Sequence, residues 1–381
     1  MRAQTPTRPG IIDALTTGLI SAARRPWLIL IPLIIDLTLW LAPPLSIDSL
    51  LQRFLRGWEG LVRTVYTPAQ LDLMADMLKT VREGMTLLGK QVNLMDVLAG
   101  SWFSPPSLIA VEQTTRLDFI SQMILAPAGL FLRLPRPIAA PWRAAPVEVS
   151  GLWAVLLIVG AFWMVAQVVA IFWLRWAEVG DGSQAAEPAG TPAVGGGWHG
   201  FPTQVAQLIA FCLTLGILVF LLQLPLGFAA ALMTISGGAL MTGMFALIGG
   251  ITLWITLWLM LSLYFTGEGL MAERQPVWRS MLQGAAMMRG NVLATLGLVA
   301  LINLLLVGFR SVWGIVGQSP AGAMLAIAGN AYLATAMLLA VFTFYRGLRQ
   351  YWLTTQGAQV AALKRTANND DSRTTNEDDK G

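Results

Sequence analysis

Long apolar runs separated by short polar breaks dominate this chain, and six of them reach the length a bilayer demands. A hydrocarbon core of about 30 Å takes roughly 20 residues of α-helix. The runs cover residues 26–46, 151–176, 203–234, 239–266, 291–318 and 320–345. Each is predicted to be a transmembrane helix, and the third is long enough to tilt or to bend near Pro225. The first reads as a membrane span and not as a cleaved signal: about 25 polar and amphipathic residues precede it, and no small-residue cleavage site follows it.

The segments between these runs carry their own pattern. Residues 1–25 form an amphipathic N-terminal region in which Ile12, Leu15 and Leu19 share one helical face ahead of Arg24-Arg25. In the long segment 47–149, residues 47–65 place Ile47, Leu50, Leu51, Phe54, Leu55, Trp58, Leu61, Val62 and Val65 on one stripe, with Arg53, Arg56 and Arg63 outside it. Thr67-Pro68 reads as a cap and first turn for a second helix, with Leu71, Met74, Met77, Leu78, Val81, Met85 and Leu88 on one face. Shorter helices are predicted at 93–99 and 106–125, and the proline-rich stretch 127–146 resists regular structure. Residues 150–352 hold the other five spans, interrupted at 179–200 by a glycine-, alanine- and proline-rich flexible loop. Residues 353–381 form a tail whose polar, acidic end predicts disorder.

Composition narrows the class. Only 12% of the 381 residues are charged, 55% are hydrophobic, and the mean hydropathy is +0.63. A soluble domain carries about 25% charged residues, so an ordinary soluble enzyme and a disordered protein are both excluded. The net charge of +4 comes from scattered basic residues that flank apolar runs, which is not a nucleic-acid-binding distribution. The single cysteine, Cys212, excludes an internal disulfide, and the single histidine, His199, excludes a multi-histidine metal site. Fifteen tryptophans suit interfacial anchoring.

Arginine and lysine gather near Arg24-Arg25, Arg175, Arg274–Arg289 and Arg346–Arg365, all on one side of a six-span topology, whereas the opposite short loops carry only Arg310. The positive-inside rule then puts both termini in the cytoplasm of a cell-membrane protein and segment 47–149 outside. The expected architecture is all-α: six transmembrane helices with amphipathic extracytoplasmic helices between the first and second.

Two short segments look alike. Residues 11–25 and 277–289 are each amphipathic, end in arginine ahead of an apolar run, and align Gly18 with Gly284, as in membrane folds built from repeats. The second of these, Pro276-Val277-Trp278-Arg279-Ser280-Met281 through Met288-Arg289-Gly290-Asn291 and the apolar run after it, resembles a segment of uncharacterised bacterial polytopic membrane proteins. Those proteins are similar to the membrane region attached to some glycerophosphoryl diester phosphodiesterases. The likeness is carried mainly by residues 265–310. It implies a six-helix bundle without an assigned activity, because the phosphodiesterase barrel itself needs more than one histidine and a soluble α/β domain.

The search for chemistry is short. Gly84–Gln91 nearly matches a phosphate-binding P-loop but lacks the final serine or threonine and falls inside an amphipathic helix. There is no G-x-S-x-G, H-E-x-x-H or C-x-x-C motif, and neither a catalytic group, a metal nor a cofactor is expected. The informative residues are polar ones inside spans. Asp36 falls about nine residues, or ~14 Å, into the first run at 1.5 Å per residue, and a charge there costs about 2.5–3.5 kcal/mol on insertion scales. Asn303 and Asn330 lie at comparable depth in the fifth and sixth runs, and both can donate to a carboxylate. Gly322, Ala326, Asn330 and Ala334 recur every four residues, a face suited to close helix contact.

The cluster Asp36, Asn303 and Asn330 is therefore the candidate intramembrane site, either as a polar staple between helices or as a coupling site. Gln167, Gln207 and Gln223 read as helix–helix hydrogen-bonding groups, Arg310 beside Trp313 as a side chain reaching the headgroups, and Glu268, Glu273, Arg274 and Arg279 as a solvated cluster at the cytoplasmic mouth. The expected role is a membrane-embedded scaffold or accessory subunit with membrane lipids and a membrane protein as partners. The alternative is a transporter or lipid-handling permease centred on Asp36.

Overall fold

The computed structural model describes residues 10–73, 75–110, 115, 117, 145–179, 201–236, 239–272 and 275–378. The described chain is almost entirely helical. In order it contains α1 (Ile11–Arg24), α2 (Pro26–Leu41), β1 (Leu45–Ser46), α3 (Asp48–Val65), α4 (Pro68–Leu73), α5 (Ala75–Gln91), a 3-10 helix (Leu94–Ala99) and β2 (Val147–Glu148). It continues with α6 (Leu152–Val179), α7 (Phe201–Ser236), α8 (Ala239–Leu263), α9 (Thr266–Ala272), α10 (Val277–Arg289), α11 (Val292–Val316) and α12 (Pro320–Asp378). This is an all-α membrane protein. Five stretches of 25 to 36 residues are long and apolar enough to cross a bilayer, and α1 with α2 makes a sixth candidate as one bent pair.

The first span departs from a simple helix. The chain turns by 86° at Arg25, and α2 alone has 16 residues, ~24 Å at 1.5 Å per residue. Pro26 explains the break: a proline at the first helical position lacks the N–H that would continue α1, and it disfavours helical backbone at Arg25 before it. α1 then packs back on α12, with Ala14, Leu15, Gly18 and Ala22 buried and Ile12 exposed. Its inner face thus keeps Leu15 and Leu19 of the face that spacing picks out, adds the small residues Ala14, Gly18 and Ala22, and leaves Ile12 outside.

Gly18 is required there. A Cβ on it would meet the carbonyl oxygen of Ala336 and, at 2.7 and 2.8 Å, the nitrogen and Cβ of Ala340. The close approach is tied by the Tyr332 hydroxyl donating to the Leu19 carbonyl at 3.0 Å.

α12 is the central helix. In its most apolar window 78% of residues are buried, against 17–33% in the other four spans, whose outward faces carry residues such as Trp153, Leu157, Phe220, Leu247 and Ile315. α12 contacts α1, α2, α6, α10 and α11. Ala326, Asn330 and Ala334 of its predicted small-residue face are buried. Beyond the membrane portion, α12 stays helical to Asp378, where composition predicts disorder from 353 on. After Gly357 this stretch has neither glycine nor proline before Gly381, and its Gln, Ala, Leu, Lys and Arg are good helix formers.

The chain leaves the bundle after Leu41 and re-enters it at Leu152 on one side, called here the hairpin side. α3 and α5 run antiparallel, with Gln52 donating to Thr86 at 3.2 Å and Arg82 meeting Glu59 at 2.7 Å. Of the apolar stripe on α3, Leu55 and Val62 are buried, while Phe54, Leu61 and Val65 stay 58–73% exposed. The two ends of the segment meet in a parallel pair, β1 with β2, through Val147 N–H to the Pro44 carbonyl and Val149 N–H to the Ser46 carbonyl. These short strands were not legible as alternation because each is only two residues long.

Candidate functional site

The segment after the 3-10 helix does something its sequence did not predict. Residues 106–110 are irregular chain with a bend at Leu108 and Ile109, not the start of a helix at 106–125, and residues 101–108 and 110 are all buried. Most of 111–125 lies outside the described residues. Trp102 and Phe103 enter the main core, where Phe103 packs on Phe211 of α7 with ring centroids 5.4 Å apart. Leu108 packs with Trp40, Ala323, Ala326 and Ile327. Non-helical backbone buried among spans needs a partner for every N–H and C=O it brings. Pro105-Pro106 lowers that demand, since neither residue has an N–H.

The remaining groups are met largely by the polar residues found inside the spans. Asp36 is fully buried, and its carboxylate accepts the Ser107 hydroxyl and the Leu108 N–H, the latter at 3.1 Å from both oxygens. Asn330 Nδ2 donates to the Asp36 Oδ2 at 3.2 Å and to the Pro106 carbonyl at 3.0 Å. Ser107 Oγ accepts the N–H groups of Ile109 and Ala110, each at 3.1 Å, and Arg310 Nη2 donates to the Ala110 carbonyl at 3.2 Å. At the other end of the insert, Ser101 donates to Gln167 Oε1 on α6 at 3.1 Å, and the Cys212 thiol on α7 approaches the same oxygen at 3.5 Å.

Of the three residues predicted as a cluster, the structure brings Asp36 and Asn330 together. Asn303, also buried, donates to the Val299 carbonyl of its own helix at 2.8 Å. The partners that sequence reasoning missed are Ser107, Leu108 and Ser101. Their signal was faint: Ser-Pro-Pro-Ser at 104–107 reads as a loop breaker, and nothing local says that the loop enters the bundle. Asp36 lies five residues, ~8 Å, from the hairpin-side end of α2, so the insert reaches in to meet it.

The other sequence candidates fall elsewhere. Gly84–Gln91, the P-loop-like run, is inside α5 and is helical throughout. His199, Glu273 and Arg274 lie outside the described residues. Glu268, predicted to be solvated, is fully buried at the start of α9, which folds against α10 through Ser280 Oγ donating to the Thr266 carbonyl at 2.8 Å. Gly284 does not repeat the tight fit of Gly18: a Cβ there would make an ordinary 3.5 Å contact with the Ser262 carbonyl oxygen.

Neither a protein-family model, a curated protein nor a solved structure matches this chain.

Proposed function

We propose that this multi-pass membrane protein is a membrane-embedded scaffold or accessory subunit. The observation that supports this reading is the enclosure of Asp36. Its partners among the described residues are Ser107, Leu108 and Asn330, and all of them serve to seat residues 106–110 between α2 and α12. A carboxylate used in this way anchors an element. The element it anchors carries the α3–α5 hairpin, whose exposed Phe54, Leu61 and Val65 offer an apolar stripe to a membrane-protein partner. The flanking arginines support a cell-membrane location with both termini cytoplasmic and the hairpin side outside. Membrane lipids are the other partner, nucleic acid is not one, and the role is not enzymatic. From the likeness of residues 265–310 to a phosphodiesterase-attached membrane region we take a helical bundle and nothing more.

A transporter or lipid-handling permease is the second reading, favoured by the 86° break between α1 and α2, since discontinuous helices carry the sites of many transporters. Native mass spectrometry of the protein in its own lipid patch separates the two. The scaffold reading expects a stoichiometric protein partner that is lost when Phe54, Leu61 and Val65 are all changed to serine. A lone chain carrying a small molecule that disappears in Asp36→Asn overturns it in favour of transport.

A further inference from the structure

Arg310 is the one basic residue of α11 and lies toward its hairpin-side end, and its surroundings among the described residues are incomplete. It lies 18 residues, ~27 Å, from the start of α11, which is headgroup depth for a core of about 30 Å. Its Nη2 is used on the Ala110 carbonyl. Its Nε is buried without a hydrogen-bond acceptor, and no carboxylate pairs with it among the described residues. One turn further on, Trp313 Nε1 is likewise buried without an acceptor. The indole is fixed in place: it packs on Phe309 at 5.8 Å between centroids and lies over Gly329 of α12, where a Cβ would come within 2.5 Å of the ring. Two adjacent donors with no acceptor among the described residues, one of them a cation with no carboxylate among them, carry a cost that an anion at this depth removes.

The neighbouring surface suits the rest of a lipid. An open groove of about 400 Å³ runs along the hairpin-side half of α2, lined by Ile34, Leu37, Thr38, Leu41 and Ala42. The Thr38 hydroxyl is already donated to the Ile34 carbonyl at 2.7 Å, so the lining behaves as apolar. Leu37 joins the two features, since it lines the groove and packs in the same cluster as Trp313.

We propose that Arg310 and Trp313 hold the phosphodiester of one phospholipid, with an acyl chain lying in the α2 groove. A guanidinium with no carboxylate partner among the described residues, beside an open apolar groove, selects a lipid over a protein helix, because it supplies complementarity to a phosphate and to a hydrocarbon at once.

The test titrates the full-length protein in detergent with phosphatidylglycerol and follows retained lipid by native mass spectrometry, with thermal protection in parallel. One lipid is expected to bind more tightly than the rest. Arg310→Gln should weaken it about tenfold or more, as expected for a lost charge-assisted hydrogen bond. Ile34→Trp, which fills the groove and leaves Arg310 in place, should weaken it as well. Equal lipid retention in wild type and Arg310→Gln overturns the proposal. So does protection by inorganic phosphate that matches that of the lipid, which makes the site one for free anions. A loss of stability in Arg310→Gln with lipid binding intact also overturns it, by assigning the guanidinium to contacts within the chain.

Discussion

Changing Asp36 to asparagine removes a single charge and almost no volume, and so isolates what the carboxylate does. The carboxylate receives three donor groups: the Ser107 hydroxyl on Oδ1, the Leu108 N–H between both oxygens, and Asn330 Nδ2 on Oδ2. An amide keeps one acceptor oxygen. The better orientation leaves that oxygen to Ser107 and Leu108 and turns the new NH₂ toward Asn330 Nδ2, so that two donors face each other where a bond of 3.2 Å stood. Flipping the amide is worse, because Ser107 Oγ already accepts Ile109 and Ala110 and its own proton would then lose its acceptor. One hydrogen bond to a charged group is lost and one donor contact is added, which costs about 2–3 kcal/mol, or roughly 5 °C in apparent midpoint.

The chain contains its own reporter for this change. Cys212, the only cysteine, is half-buried beside Gln167, and its reaction with a fluorogenic maleimide on heating reads the opening of the bundle. Hydrogen exchange at residues 107–110 should rise in the same variant, since their amides depend on Asp36 and Ser107. The double change with Asn330→Ala should cost less than the sum of the two singles by about 1–2 kcal/mol, because the two residues share a bond. An unchanged midpoint together with unchanged exchange refutes the staple. So does a purely functional defect, with ion or substrate flux lost and the Cys212 melting curve intact.

Three other outcomes follow from the packing. Ser107→Ala removes a donor to Asp36 and the acceptor of two amides, and should lower the midpoint by about 2–4 kcal/mol equivalent, measured by the same Cys212 assay. Gly18→Val should destabilise by at least about 2 kcal/mol, since backbone of α12 blocks the added carbons, whereas Gly284→Ala should stay within about 1 kcal/mol; equal effects in a thermal melt would deny the difference in fit between the two look-alike segments. Gln167→Leu should leave Ser101 without its acceptor and make Cys212 react faster in the folded protein, by about 1–2 kcal/mol of local opening measured by labelling rate.

Much of this fold was readable because lipid imposes a length rule on helices. The positions of α6, α7, α8 and α11 follow from apolar runs alone, and the small-residue face of α12 follows from a four-residue recurrence around Asn330. The bend at Arg25 was also written locally, in Pro26, although hydropathy runs through it unmarked. The polar residues were found for the same reason: an aspartate or asparagine in a span is costly, so it stands out. What it pairs with is another matter. Asp36 and Asn330 are 294 residues apart, and Asp36 and Ser107 are 71 apart, with nothing in either neighbourhood to name the other.

By itself, then, the sequence determined the solvent this chain folds in, the placement of five long helices, and that Asp36, Asn303 and Asn330 had to be hidden. Those follow from composition and periodicity, which are local properties. Only the tertiary structure decided that α1 lies on Ala336 and Ala340 through Gly18, that α12 is the centre, and that residues 101–110 enter the bundle as irregular chain. Such chain can persist among spans only where side chains from distant helices complete its backbone hydrogen bonds. Asp36, Asn330 and Arg310 do so here, and that use exists only once α2, α11 and α12 have come together.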